Sequence, residues 1–477
     1  MLAKKLCMMS ALVAATTLTA AACGSGGGAP SSGGGGGATA AGKTGASTGG
    51  GGGGSSSGPV TLTMWNGLNN QQPGTPAAKI PASKWWFNVA LKMFEKQNPN
   101  IKVKIVQSPN LASSAFETLL KSSEVAGNTP DIGQLYAGGQ ITQNGKYLVP
   151  LNSALPKSFI DSLLPSGWQF STGGFKKGGP IYGVPFGAGY YYYVFYNKAL
   201  FKKAGVQPLP ETANWDDLVA LAKKIKAKGI TPFVFGEKEG YFGAWTQDAL
   251  ISGEVGTQGV LDMYTGKASL DTPTITKPYA AWHELFADGL TNSNAVSLTN
   301  TSGSAEFQDG KAAMTITGDF SDTGFEQGLG KNVGLFPVPA LPGSRYTKFL
   351  SGGPNDDYVI FKNTKHAAQA EKLIEFLASL KVQEMALKQD GALPNNLAYK
   401  AGPALYKTNP LLAAESKYIQ VQHYKLFEAF DNVMPGSIDS YWYQTNNGVF
   451  GGSLSPASAA SSLNTQMQQF LQTQNAG

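Results

Sequence analysis

The chain has 477 residues, of which 42% are hydrophobic, 11% aromatic and only 14% charged, and its formal net charge is +6. This small, scattered positive charge does not indicate a nucleic-acid-binding protein. Arg345 is the only arginine, which disfavours tight recognition of phosphates and dicarboxylates and favours a neutral ligand. Both cysteines lie before residue 24, so the rest of the chain has no thiol for a disulfide, a cysteine zinc site or a cysteine nucleophile.

Residues 1–22 have the layout of a secretory signal peptide. Two lysines precede an apolar run that is too short to cross a membrane, and small residues follow it, just before Cys23. This ending resembles the lipobox of bacterial lipoproteins, which implies that Cys23 is lipidated and becomes the new N-terminus. Ala20 stands where that motif more typically has leucine. Cleavage by an ordinary signal peptidase at the same small residues is the alternative.

Residues 23–59 are expected to form a lipidated cysteine followed by a flexible linker. The tract is almost entirely Gly, Ser, Ala and Thr, which cannot bury a hydrophobic core. A flexible coil of this length reaches about 30–35 Å. That reach suits a tether between a lipid and a folded domain.

The first part of the folded chain alternates between strand and helix patterns. Residues 60–65, 101–106 and 132–136 are predicted strands. Predicted helices at 84–97 and 112–126 lie between them. This order predicts a parallel α/β layer.

The second part of the chain also contains both strand and helix patterns. Residues 181–196 are extended and aromatic, and the terminal helix has Ser455 as its predicted cap. Further predicted strands lie at 230–235 and 311–317, and further predicted helices at 197–204, 216–228, 282–288, 301–309, 365–388 and 456–474.

Short motifs occur in order along residues 60–477. They are IYGVP at 181–185, FYNK at 195–198, WDDL at 215–218, FQDGKAAM at 307–314, GDF at 318–320, GG at 352–353, EFL at 375–377 and the segment 383–394. In this order they resemble the extracellular solute-binding proteins of bacterial ABC importers, in the maltose-binding-protein-like carbohydrate-binding family. The resemblance implies an α/β, two-lobe periplasmic-binding-protein fold of type II, in which each lobe is a sheet flanked by helices and the ligand lies in the cleft. Lobe 1 is expected at 60–186 plus 350–396, and lobe 2 at 187–349 plus 397–477.

The same resemblance implies a function. We expect a non-enzymatic, monomeric receptor that needs no cofactor and captures a neutral sugar or oligosaccharide. It would deliver the sugar to an ABC permease with ATPase subunits. The lipid on Cys23 would hold it at the cell surface or on the periplasmic side of the cytoplasmic membrane.

A sugar site needs flat aromatic rings for the C–H faces and amides or carboxylates for the hydroxyls. Residues at the predicted strand ends supply both kinds, where doubly wound sheets bind ligands: Trp65, Asn66, Gln134 and Tyr136. The aromatic strand adds Tyr190 and Tyr191. Positions that match the family add Tyr241, Trp245, Asp319, Phe320, Gly352, Gly353 and Trp442. A core position is the alternative for Trp65, Gln134, Tyr136 and Trp442, and a plain hinge turn for the two glycines.

Other functions stay open at this point. Adjacent tyrosines at 190–193 also fit a ferric-iron site, and a peptide is another possible solute. A secreted glycosidase or lyase would need two opposed carboxylates, such as Asp319 with Asp356 or Asp357. The chain has no G-x-S-x-G motif, and its three histidines lack metal-ligand spacing. A non-catalytic adhesin or scaffold is a further alternative.

Overall fold

The computed structural model describes residues 58–67, 71, 76–111, 113–163, 168, 170–175, 178–187, 189–353, 356–391, 393–400 and 402–475. The predicted signal peptide, Cys23 and all but the last two residues of the linker lie outside this range. Within it, none of the helices combines the length and the apolar character that crossing a membrane requires.

The described chain contains both strands and helices. The strands are β1 (Val60–Trp65), β2 (Ile101–Val106), β3 (Ile132–Tyr136), β4 (Gly183–Phe186), β5 (Tyr190–Asn197), β6 (Met314–Gly318), β7 (Val333–Pro337), β8 (Phe349–Gly353), β9 (Asp356–Ile360) and β10 (Lys425–Glu428). The helices of the first half are α1 (Trp86–Gln97), α2 (Ser114–Ala126), α3 (Gly139–Asn144), α4 (Lys157–Ile160), α5 (Lys198–Ala204), α6 (Trp215–Lys226) and α7 (Tyr241–Tyr264). The later helices are α8 (Pro273–Ala287), α9 (Asn300–Gln308), α10 (Asp322–Leu329), α11 (Ala367–Leu377), α12 (Leu380–Asp390), α13 (Pro403–Thr408), α14 (Pro410–Ser416), α15 (Phe430–Val433), α16 (Gly436–Phe450) and α17 (Pro456–Asn475).

Two sheets organise these elements. In the first sheet the strand order is β2-β1-β3-β9-β4, and β1 runs parallel to both β2 and β3. The parallel layer predicted from the strand–helix order is therefore confirmed. In the second sheet the order is β10-β8-β5-β6, with β7 also paired to β5. The α/β class with helix-flanked sheets is confirmed as well.

Two predicted strands differ from the structure. Residues 230–235 form no regular strand, because only Phe233 makes bridges there, to Thr291 and Met314. The extended segment at 181–196 is divided into β4 and β5, which belong to different sheets. Alternating polarity shows that a segment is extended, but it does not show which neighbour the segment pairs with.

The chain passes between the two sheets three times: the first two crossings are neighbours in space, and the third lies between β9 and β10. It leaves the first sheet after Phe186 and returns to it at Asp356. These two residues are paired opposite each other, and Tyr190 is paired opposite Gly353 on the second-sheet side. Residues 350–353 lie in the second sheet, so the return crossing comes later than the predicted boundary at 350.

Each sheet has its own hydrophobic core. On the first sheet, α1 buries Trp86, Phe87 and Phe94 against β1 and β9. On the second, the core is built around aromatic side chains of α6, α8 and the segment before α7. A further cluster joins Phe170 and Phe175 to Ala244, Phe430 and Trp442, so hydrophobic packing also connects the two sides.

Candidate ligand-binding cleft

Polar side chains meet at one edge of the first sheet. Strands β1 and β3 end there and the antiparallel β9 begins there, so that Asp356 is paired with Tyr136, two residues after Gln134. Gln134 Nε2 donates a hydrogen bond to a carboxylate oxygen of Asp356. Asn66 lies close by, but its Nδ2 already donates to Gln107 Oε1 at 3.1 Å and its Oδ1 accepts from the Ser108 amide at 3.4 Å. The edge predicted from the strand ends therefore exists, with Gln134 and Asp356 at its centre.

Trp65 has a different environment from the one expected for a ligand contact. Its side chain is only 3% exposed. The rings of Phe116 and Phe361 pack edge-on against it, with centroids 5.8 Å and 5.5 Å away. The ring has no face open to a ligand, so the alternative interpretation, a core tryptophan, fits the structure.

A continuous row of rings lines the opposite side, on the second sheet and its helices. We call it the aromatic wall, and its members are Tyr190, Tyr192, Tyr241, Trp245, Phe320 and Tyr443. Trp245 lies at its centre: Tyr192 and Tyr241 stack beside it at 6.3 Å and 6.1 Å, and Phe320 meets it at 5.1 Å. Tyr190 extends the row from Phe320, and Tyr443 extends it from Tyr241. Phe320 is the most open member, at 38% exposure.

The strand β5 explains which tyrosines join the wall. Side chains alternate between the two faces of a strand, so Tyr190 and Tyr192 share a face while Tyr191 and Tyr193 take the other. Tyr193 is fully buried with Phe195 in a separate core, and Tyr191 packs against the same core. The structure therefore places Tyr190 on the wall as predicted, leaves Tyr191 out and adds Tyr192.

Trp442 also lies elsewhere than predicted. It is 0% exposed, and its ring meets Phe430 at a centroid distance of 4.6 Å within a hydrophobic cluster. The stacking role expected for it does not fit, because neither ring face is open. The next residue on α16, Tyr443, is rotated by about 100° around the helix axis and reaches the wall instead.

Asp319 and the two adjacent glycines are held by neighbouring backbone. Asp319 accepts hydrogen bonds from the amides of Tyr191 and Phe320, while burial raises its pKa. A side chain at Gly352 would overlap the Tyr190 carbonyl oxygen, and one at Gly353 (φ 126°) would overlap the Glu428 carboxylate. The space beside both glycines is thus occupied by protein, which fits the hinge-turn alternative and not a close approach of ligand.

Three carboxyl groups beside the wall were not predicted. We call Asp248, Asp431 and Asp439 the acidic pocket. Asp248 lies on the same face of α7 as Tyr241 and Trp245, at positions i, i+4 and i+7, a spacing that sequence inspection could have detected. Asp248 Oδ1 accepts from the amides of Phe430 and Asp431, at 2.9 Å and 3.3 Å, and the Tyr192 hydroxyl lies 3.5 Å from Asp431 Oδ2.

The pocket carboxyls are perturbed by burial and by one another. Burial raises the pKa of Asp431 to about 6. Burial, followed by the neighbouring Asp431, raises the pKa of Asp248 well above its usual range. Burial also raises the pKa of Asp439. Two carboxylates this close cannot easily both be ionised in a low-dielectric site.

Tyr136, at the end of β3 in the first sheet, lies near the acidic pocket. Its pKa is raised by burial and then by Tyr241, Asp431 and Asp356, which come from both sides. A side chain on Gly139 would overlap the carbonyl oxygen of Met434. The end of β3 is therefore in contact with the segment that carries the acidic pocket, and the cleft lies between the two sheets.

The helix that carries Trp245 is anchored by a buried acid. Glu237 is fully buried, and its carboxyl oxygens accept from the Gly243 amide, at 3.2 Å and 3.0 Å, and from the Trp282 indole, at 3.2 Å. Burial raises its pKa to about 8. The folded protein therefore favours the neutral form, whereas an unfolded chain ionises near pH 4.5.

Glu237 should make stability depend on pH. Because its folded pKa is raised, its contribution is full below about pH 4.5 and is lost as the pH rises towards 8. Glu237→Gln, which mimics the neutral acid, should reduce the loss of unfolding free energy between pH 5 and pH 8 by about 1 kcal/mol or more. Thermal or urea unfolding at both pH values measures this, with the exposed Glu284→Gln on α8 as control. Equal pH slopes for Glu237→Gln and the wild type would contradict the prediction.

With this geometry established, similar proteins can be compared. The sequence profile described as "Bacterial extracellular solute-binding protein" matches residues 75–384. The chain belongs to this family. The family resemblance stated from the motifs is confirmed.

Two proteins and one solved structure are similar to this solute-binding protein over most of its length. An uncharacterised ABC transporter extracellular-binding protein of Pyrococcus horikoshii is 26% identical over 342 residues, 67% of this chain and 72% of that protein. The multiple sugar-binding protein of Streptococcus mutans is 26% identical over 309 residues, 63% of this chain and 70% of that protein. A structure solved in work on xylan utilisation by Caldanaerobius polysaccharolyticus is 25% identical with a TM-score of 0.73, covering 85% of this chain and all of that chain.

Proposed function

We propose that this solute-binding protein captures a sugar or oligosaccharide without anionic groups and delivers it to an ABC permease with ATPase subunits. The observation that carries the proposal is the aromatic wall, whose Tyr241 lies near Tyr136 at the end of β3 in the first sheet. The sugar-binding relative and the ABC-transporter relative support the two halves of the proposal. In this proposal the protein binds without catalysis and acts as a monomer.

The proposed binding mode follows from the chemistry of the wall. The half-buried Trp245 and Tyr241 offer flat faces for the C–H surface of a sugar ring. The carboxyl and amide groups beside them accept hydrogen bonds from hydroxyls or donate hydrogen bonds to them. Arg345, the single arginine, is exposed and stacks 5.1 Å from the ring of Tyr346, outside the cleft. An anionic substituent would therefore meet carboxylates with no guanidinium to pair with.

We also propose that ligand binding closes the two lobes. Lobe 1 would comprise 60–186 and 356–396, and lobe 2 the remainder of 187–477. Only a closed form lets side chains of both lobes contact one ligand together, so a ligand with this preference shifts the population towards closure. The crossings after Phe186 and before Asp356 are the proposed hinge.

A calorimetric panel tests the function. Neutral, amino and acidic mono- and oligosaccharides would be titrated into the protein, beside peptides, polyamines and ferric iron. We expect saturable sugar binding without cleavage, and compaction in small-angle scattering at saturation. Binding of peptide or iron in the absence of any sugar binding would overturn the sugar proposal, and cleavage of a bound glycan would overturn the non-enzymatic one.

We propose that Cys23 carries the lipid that retains the protein at the outer face of the cytoplasmic membrane. Cys23→Ser should shift most of the protein from the membrane fraction to the soluble fraction or the medium, because the long linker has no apolar anchor of its own. Cys7→Ser, in the predicted signal peptide, is the matched control and should change nothing. Fractionation followed by immunoblotting measures the distribution. Unchanged membrane retention of Cys23→Ser would contradict the anchor.

A further inference from the structure

We propose that the acidic pocket binds a protonated amino group of the ligand, so that the preferred sugar is an amino sugar or an oligosaccharide that contains one. The inference rests on the proposed sugar-binding function and refines it. It concerns one position on the ligand, next to the stacking surface of Trp245.

The first observation is the number of acceptor atoms left without donors. Asp248 is 0% exposed and Asp439 9% exposed. Among the described residues, no N–H or O–H group other than a proton on the acids themselves reaches Asp248 Oδ2, Asp431 Oδ1 or Asp439 Oδ1. Buried polar atoms are rarely left in this condition. A ligand with several hydrogen-bond donors would satisfy all three side chains.

The second observation is the charge around the pocket. The groups that act on the pocket carboxyls and on the tyrosines beside them come from both sides of the cleft, and they are acids and phenols: Glu117, Asp319, Asp356, Tyr136, Tyr192, Tyr241 and Tyr443. Burial raises the pKa of Glu117 and the nearby cation Lys121 partly lowers it, but Lys121 is not among the groups that perturb the three pocket carboxyls. The described part of the cleft thus concentrates acidic groups, and no protein cation is among the groups that perturb the three pocket carboxyls.

The third observation distinguishes an organic cation from a metal ion. Within the described residues, no group of three or more His, Cys, Asp or Glu side chains is placed to hold a metal. Rings, not further oxygen ligands, complete the pocket: Tyr192 borders Asp431, and Trp245 stacks on Tyr192. Aromatic faces and carboxylates together suit an ammonium group, through cation–π attraction and charge-assisted hydrogen bonds.

An ammonium group fits better than sugar hydroxyls alone. It presents several N–H donors from one atom, which suits buried carboxyl oxygens that lack a donor from the described residues. Its charge also offsets the cost of burying carboxylates that are close to one another, which neutral hydroxyls do not do. An N-acetylated amine has neither property, because its nitrogen is uncharged and has a single N–H.

The test compares sugars that differ only at this substituent. β-1,4-linked and α-1,4-linked oligomers of glucose would be titrated beside the glucosamine and N-acetylglucosamine oligomers of equal length. We expect the tightest binder to carry a free amine and to bind about tenfold or more tightly than its acetylated form. Its affinity should rise from pH 5 to pH 6, because the ammonium binds the ionised carboxyls and itself stays protonated over this range.

Variants assign the effect to the pocket. Asp431→Asn and Asp439→Asn should each lower the ratio of amino-sugar to acetylated-sugar affinity by about fivefold or more, while the exposed Asp271→Asn leaves the ratio unchanged. The wild-type pH dependence provides a second readout if a variant fails to fold. Equal or tighter binding of a neutral sugar would overturn the inference and leave the sugar-receptor function standing. Absence of binding by every sugar of the wider panel would overturn the proposed function, and this inference with it.

Discussion

Replacing Trp442 with alanine should lower the free energy of unfolding by about 3–5 kcal/mol, the usual cost of truncating a large buried aromatic side chain. The ring is 0% exposed and packs against Phe430 within the cluster that also contains Val433, Met434 and Val449. Removing it leaves a cavity among elements that connect α7, α15 and α16. Urea unfolding of the wild type and the variant measures the change.

The conservative variant separates packing from other effects. Trp442→Phe keeps most of the apolar contact and should cost clearly less than Trp442→Ala. Trp245→Ala is the matched control, since it removes the same side chain from a part-exposed position. A Trp442→Ala protein with wild-type stability but much weaker sugar binding would show that Trp442 contacts the ligand after all.

Replacing Trp245 with alanine should weaken ligand binding strongly and destabilise the fold less than Trp442→Ala does. Its ring lies at the centre of the aromatic wall, between Tyr192 and Tyr241. Loss of this stacking surface should weaken binding of the sugar identified by the panel by about tenfold or more, which corresponds to roughly 1–3 kcal/mol. Calorimetry measures the affinity, and the unfolding free energy should fall less than in Trp442→Ala.

A second substitution on the wall sharpens this test. Trp245→Phe keeps a flat face and should retain part of the affinity, so the order wild type, phenylalanine, alanine is expected. If Trp245→Ala binds the sugar as tightly as the wild type, the wall is not the stacking surface and the proposed binding mode is wrong.

Sequence patterns predicted the strands of the first sheet, but they did not predict which side of a helix faces the cleft. The strand–helix order was sufficient for the parallel β1, β2 and β3. The ligand contact expected of Gln134 at a strand end stays a prediction, and its side chain is 0% exposed. On α16 the choice between Trp442 and Tyr443 depends on which side of the helix faces the cleft, and three aromatic residues in a row leave that undetermined. Packing against Phe430 decides it.

The acidic pocket shows a second limit. Its carboxyls come from α7, α15 and α16, and Asp248 is separated from Asp431 by more than 180 residues along the chain. A cluster of this kind has no local spacing to detect. Only one part of the pocket could be predicted from the sequence: the i, i+4 and i+7 spacing places Tyr241, Trp245 and Asp248 on one face of α7.

The two neighbouring crossings have a consequence for binding kinetics. Phe186 is paired with Asp356 and Tyr190 with Gly353, so any rotation axis passes close to these residues. Groups near an axis are displaced little when the lobes rotate, and groups at the rim travel furthest. A ligand should therefore meet Asp356 and Tyr190 already in place during first encounter, whereas its contacts with groups further from the crossings form only as the lobes come together. Substitutions beside the crossings should then act mainly on the association rate, and substitutions at the rim mainly on the residence time.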